Sequence, residues 1–313
     1  MKSLLTVPLV FCTILGCVWA NEAEVLATEE ATGEHSFEIK GVKKGNRVTL
    51  DVEYKGPWPC YIEYPPQPSH FVGIKSAPDA IHVHRTLSAR LIQPNVFVNK
   101  FLQASRPGLL LIPKDSKPCK FKMAFDGADL SEMILLEFEL PLRVSILNKE
   151  GIEHYEVVFK VFGSEDLSAV LRRSTLISRV AYPKEADPQN AWIDQLDVRF
   201  GATLSKDILF FENHTPGFVF LFMTKNNVTG IYEFPWVGSE SAASRARSQL
   251  SEGVCIGTLL PPDQSTWRLL SSDVVSSSSA LQVAIPYVWG DGLSMKGRPT
   301  VHVLERAVPL KTH

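Results

Sequence analysis

Hydrophobic and polar positions alternate with a period of two through most of the first half of the chain. That is the pattern of strands with one buried and one wet face. In residues 47–54 (RVTLDVEY), Val48, Leu50, Val52 and Tyr54 fall on one side, and Thr49, Asp51 and Glu53 on the other. Residues 119–125 (CKFKMAF) repeat the device, with Phe121, Met123 and Phe125 inward and Lys120 and Lys122 outward. The longest unit, residues 133–163 (MILLEFELPLRVSILNKEGIEHYEVVFKVFG), sets two alternating runs around Asn148–Gly151, whose Asn and Gly supply turn chemistry. It predicts an antiparallel hairpin with one solvated face. Pro141 has no N–H to donate, which predicts an edge position or a bulge there.

No helix of three turns is expected before residue 163. After Gly163, the stretch SEDLSAVLRRS (164–174) predicts a short helix: Ser164 as cap, Glu165 and Asp166 in the first turn, Arg172 and Arg173 in the last. The proline-bearing AYPKEADPQNAW (181–192) reads as a connector. Strand patterns resume in DQLDVRFG, GFVFLFMT, TGIYEFPW, STWRLL, LQVAIPYVW and PTVHVLER. A second helix is expected from Ser239, ended by Gly253. These patterns predict a mainly β protein of two antiparallel β-sandwich units, jelly-roll or immunoglobulin-like, with a few short helices. Residues 21–163 form the first unit, 164–191 a short helix and linker, and 192–313 the second unit with one inserted helix. A single larger sandwich carrying that helix is the alternative.

Residues 1–20 (MKSLLTVPLVFCTILGCVWA) join a basic start, an apolar run and an ending on Ala20, the pattern of a secretory signal peptide. With no second apolar run of spanning length, no integral membrane segment is expected after cleavage near Asn21. A secreted, extracellular destination by way of the endoplasmic reticulum follows. Removing Lys2 takes the net charge from −2 to −3. Without a basic face, nucleic acid is excluded as an expected partner.

Cys12 and Cys17 leave with the leader, so Cys60, Cys119 and Cys255 remain. Oxidising compartments favour pairing. Cys60 and Cys119, each opening a strand-like run in the same half, are the expected disulfide, worth about 4 kcal/mol in the loop-entropy account. Cys255 is then a buried free thiol or an intermolecular link.

Candidate chemistry is sparse. In IHVHR (81–85), His82 and His84 share one strand face, close enough to hold one divalent ion if a third ligand arrives; His70 is the nearest histidine. The simpler reading makes them the polar face of a strand whose Ile81 and Val83 point inward. Asn213 (NHT) and Asn227 (NVT) are N-glycosylation acceptors, Asn213 weakened by Pro216. Trp236 and Trp289 end strand patterns beside turn residues, where aromatic side chains contact sugars or proteins. No nucleophile elbow, zinc-protease helix, P-loop or dinucleotide fingerprint is present. The sequence therefore predicts a secreted, N-glycosylated protein that binds an extracellular protein or glycan, without a cofactor. Its alternatives are a metal-dependent or glycan-acting secreted enzyme using His82 and His84, and a structural or antigen-like surface component.

Overall fold

A computed structural model of the 313-residue chain describes residues 25–26, 35–63, 69–74, 88–93, 95–96, 108–114, 117–127, 130–148, 150–181, 195–203, 206–215, 217–225, 232–234, 240–269, 280–288 and 301–309. The first strands are β1 (Val25–Leu26), β2 (His35–Lys44), β3 (Arg47–Lys55), β4 (Cys60–Glu63), β5 (Ser69–Ile74), β6 (Ser88–Gln93) and β7 (Asn95–Val96). There follow β8 (Gly108–Leu111), β9 (Cys119–Asp126), β10 (Leu135–Leu147), β11 (Gly151–Gly163), β12 (Asp166–Ala181), β13 (Leu196–Thr203) and β14 (Lys206–Asn213). The remainder comprises β15 (Val219–Phe222), β16 (Thr224–Lys225), β17 (Tyr232–Glu233), helix α1 (Glu240–Glu252), β18 (Val254–Leu260), β19 (Gln264–Leu269), β20 (Ala280–Val288) and β21 (Val301–Pro309). The protein is mainly β, and every pairing between its strands is antiparallel among the described residues.

The period-two runs become β3, β9, β10 and β11 with the faces expected. Val48, Leu50, Val52, Tyr54, Phe121, Met123 and Phe125 are all buried. On the wet face Asp51 sits opposite Lys122, and Glu53 opposite Lys120, each pair forming an ion pair. Such exposed pairs contribute only about 0.2–1 kcal/mol apiece, so register rests mainly on the buried face. At the β10–β11 turn, the Asn148 side-chain oxygen accepts the N–H groups of Glu150 and Gly151. Pro141 pairs with Val158 on one side. On the other side it falls between the segments of β10 that pair with β5 and with β4, so its missing N–H breaks no described ladder there. The bulge lies just before it, between Glu137 and Glu139.

Residues 164–174 do not form the expected helix. From Asp166 they run as β12, paired with β11 from Leu167 to Ala181 and with β2 at Asp166–Ser168. Leu167 is buried, and Ala169 and Leu171 pack against the core at period two. A long partner edge on β11 thus overrides the local helical signals. Gly163 makes the reversal with φ 145°, a conformation closed to side chains here because a Cβ would stand 2.1 Å from the Asp166 carbonyl oxygen. Two register shifts in the β11–β12 ladder leave Arg172 and Ile177 as extra residues on β12. The linker region 182–191 lies outside the described residues.

The largest sheet has 14 strands, in the order β15-β18-β8-β4-β10-β11-β12-β2-β3-β9-β6-β7, with β1 on β2 and β5 on β10. It crosses the expected boundary between units, because β18 pairs with β8 from Val254↔Leu111 to Gly257↔Gly108. Two separately hydrogen-bonded sandwich units are therefore not what the pairing shows. The sheet nonetheless folds back on itself: Phe125 on β9 packs against Phe138 on β10 at 5.6 Å between ring centroids. Where β4, β8, β18 and β15 adjoin, both faces are covered. Cys60, Ile62, Leu109, Leu111, Ile256 and Leu221 join the larger core, while Tyr61, Leu110, Cys255, Phe220 and Phe222 join a second cluster. Burial on both sides explains the continuous apolar runs GLLL and VFLF, which carry no alternation.

Helix α1 lies where expected and ends on Gly253, whose φ of 76° turns the chain into β18. The Gln249 side chain stitches the helix down, donating to the Met223 carbonyl and accepting the Ile256 N–H, each at 2.9 Å. No helix among the described residues is long and apolar enough to cross a membrane. Smaller sheets complete the fold: β13-β14-β19, β16-β17 and β20-β21.

Candidate functional site

Most residues singled out from the sequence fall outside the described residues: His82, His84, Asn227, Trp236 and Trp289. His70 lies on β5, which hydrogen-bonds to the start of β10. Asn213, Cys60, Cys119 and Cys255 are placed.

The three cysteines are free thiols, all buried. The expected Cys60–Cys119 bond is not formed. Both side chains do enter the same core cluster, from β4 and β9, whereas Cys255 belongs to the cluster on the opposite face of the β4–β8–β18 ladder. Burial disfavours the thiolate, the form through which oxidation proceeds. Removal from water pushes the Cys60 thiol well above its ordinary value. The same cause takes Cys119 to about 11, against opposing help from the Ile112 backbone and the Lys114 ammonium. Burial also raises Cys255.

Asn213 ends β14 and is wholly buried, as is Thr215 at 2 % exposure. Its side-chain amide donates to the carbonyls of Gly217 at 2.7 Å and of Leu260 and Pro261, each at 3.0 Å. Its side-chain oxygen accepts both the N–H and the hydroxyl of Thr215. The nitrogen that a glycan acceptor would offer is thus engaged inside the protein at this position.

Just outside that joint, the register brings together charges that sequence reasoning missed. Asp197 on β13 stands directly opposite Glu212 on β14, and His214 follows two residues on. One ligand atom from each lies within 4.8 Å of the others, a spacing that fits a divalent ion. Arg199 lies among them, paired to Asp197 at 3.0 Å and to Glu212, while His214 approaches Glu212 at 3.3 Å. The guanidinium supplies the positive charge that two facing carboxylates require. D-x-R at 197–199 and E-x-H at 212–214 each carried the right period, but only the pairing register could bring them to one face.

Two further polar pairs lie wholly or partly out of solvent. His35 Nδ1 is 2.7 Å from the Tyr54 hydroxyl, which donates to the Trp58 carbonyl at 2.7 Å. Because that hydroxyl is the donor, His35 must give its Nδ1 hydrogen to the tyrosine oxygen. Burial lowers the His35 pKa, and Glu153 works the other way. Gly56 keeps the cradle open, since a Cβ there would stand 2.4 Å from His35 Nδ1. On the β10–β11 hairpin, Ser145 Oγ and His154 Nδ1 meet at 2.8 Å across the ladder. Burial lowers the His154 pKa as well. Comparison with protein-family models, curated proteins and solved structures gives no match.

Proposed function

We propose that the chain is a secreted, N-glycosylated protein that works by binding an extracellular protein or glycan. The observation that carries this reading is the pairing of an apolar leader over residues 1–20 with a downstream chain of antiparallel strands. Strand-built scaffolds of this kind present recognition loops at the ends of their strands. Asn227 is the proposed glycan acceptor. Trp236 and Trp289, each beside turn residues, are the proposed contact side chains. The packing of Phe125 on Phe138 supports sandwich-like layering of the region formed by residues 21–163.

The test is expression of the full chain in secretory cells, followed by glycan-array and cell-surface binding. Retained binding that falls at least tenfold in Trp236→Ala or Trp289→Ala is expected. A folded, monodisperse preparation that binds nothing overturns the reading. The rival, a metal-dependent enzyme built on His82 and His84 with His70, rests on the spacing of the pair. Metal analysis of the purified protein before and after His82→Ala and His84→Ala tests it, and wild-type protein without stoichiometric metal would sink that rival.

A further inference from the structure

Asn213 occupies a position where three segments meet. It pairs with Leu196 on β13 and Gln264 on β19, so it belongs to the three-stranded sheet. Its side-chain nitrogen reaches the Leu260 carbonyl, at the end of β18 and hence of the 14-stranded sheet. Its backbone carbonyl accepts the Asp263 N–H at 2.7 Å, fixing the turn in which Asp263 adopts φ 55°. Thr215, the hydroxyl residue of the same acceptor triplet, is turned back onto the Asn213 side-chain oxygen and the Gly217 carbonyl. Both residues that define the N-x-T triplet are thus spent on one internal joint.

Glycan transfer makes incompatible demands on the same atoms. The sugar leaves a diphosphate-linked lipid donor: a C–N bond forms at Asn213 Nδ2, the sugar C–O bond to the diphosphate breaks, and the amide gives up one proton. One N–H would remain where three carbonyls now share two. The bulky substituent would also occupy a site with no exposure to solvent.

We propose that Asn213 is the clamp between the two sheets and must remain unmodified, so that folding and glycosylation compete for its side-chain nitrogen. A chain that receives sugar at Asn213 cannot close the joint and is held back from secretion. The competition rests on the secretory reading given above; the clamp does not. The nearby Asn227 serves as an internal reference for glycan transfer.

Two measurements test this. Peptide mass mapping of full-length protein secreted from glycosylating cells, after enzymatic deglycosylation in heavy-oxygen water, reads occupancy at each asparagine. Unmodified Asn213 in the secreted fraction is expected, with any Asn213 glycan confined to retained chains. Folded, secreted protein carrying sugar on Asn213 overturns the proposal, whereas a glycan-free Asn227 counts against the secretory reading alone. The second measurement is urea unfolding of Asn213→Asp in protein made without glycosylation. Aspartate resembles the asparagine in size but cannot donate to the three carbonyls. An increase of at least about a hundredfold in the unfolding equilibrium constant is expected from buried carbonyls left unpaired. Wild-type stability in Asn213→Asp, or its complete rescue of secretion, overturns the clamp.

Discussion

Replacing Gly257 by alanine tests the continuity of the 14-stranded sheet at the strand that joins the two halves of the chain. Gly257 lies between Gly108 on β8 and Phe222 on β15. A Cβ there would stand 2.1 Å from the Leu221 carbonyl oxygen and 2.7 Å from the Phe220 ring. A tolerable C···O approach is about 3.3 Å, so β15 would have to retreat by about 1 Å. That shift carries ladder hydrogen bonds from about 2.9 Å toward 4 Å, beyond bonding range. With a net contribution of about 1 kcal/mol per hydrogen bond and further strain from overpacking, Gly257→Ala should cost roughly 2–4 kcal/mol. Gly257→Val should cost more. Urea unfolding followed by tryptophan fluorescence and far-ultraviolet circular dichroism measures this. Because β18 is hydrogen-bonded on both sides, the two signals should move together to a lower midpoint. A Gly257→Ala midpoint shift equivalent to less than about 0.5 kcal/mol would refute the packing argument. Separate transitions for the two probes would refute the continuity of the sheet.

Further predictions concern groups whose chemistry the fold alters. The lowered pKa values of His35 and His154 mean that the unfolded chain binds more protons from about pH 6.5 downward. Stability should therefore fall from pH 7.5 to pH 5.5, and less steeply in His35→Gln; equal slopes in urea unfolding would count against the buried neutral imidazole. The three thiols should be silent to an aromatic disulfide reagent at pH 8 in the native state and all react in denaturant. A single reactive thiol in unreduced, denatured protein would instead establish a bond within the chain. Lys114 donates to the carbonyls of Leu250 at 2.5 Å and Ser251 at 2.6 Å, at the C-terminal end of α1. Lys114→Met should cost about 0.5–1 kcal/mol in the same unfolding assay, and no change would show that these contacts contribute nothing.

Residues with one wet face were legible from sequence because alternation and burial report the same physical fact. Val48 to Tyr54 and Cys119 to Phe125 show it, as do the Asn148 turn and the Gly253 stop. Residues 164–174 satisfy the rules of a helix, with an acidic start and a basic end, and yet run as strand from Asp166. What decided their structure was the free edge of β11, a partner that local sequence does not reveal. Joining of the halves was hidden for a related reason. Strands buried on both faces, such as Gly108–Leu111, have no period to read, and their partners lie far along the chain. The acceptor triplet at Asn213 illustrates the limit of motif reading. Its three residues satisfy the chemistry of glycan transfer, while its burial is set by contacts with Leu260 and Pro261.

The pairing of β8 with β18 also bears on the order in which the chain is made. β4 and β8 leave the ribosome early, but the strand that covers β8 follows about 140 residues later. At synthesis rates of about 5–20 residues per second, the apolar edge Gly108–Leu111 waits roughly 7–30 s for Val254–Leu260. Nascent chains thus carry an open, sticky strand over the whole stretch of synthesis that separates β8 from β18, and a fragment ending near residue 163 would carry it permanently.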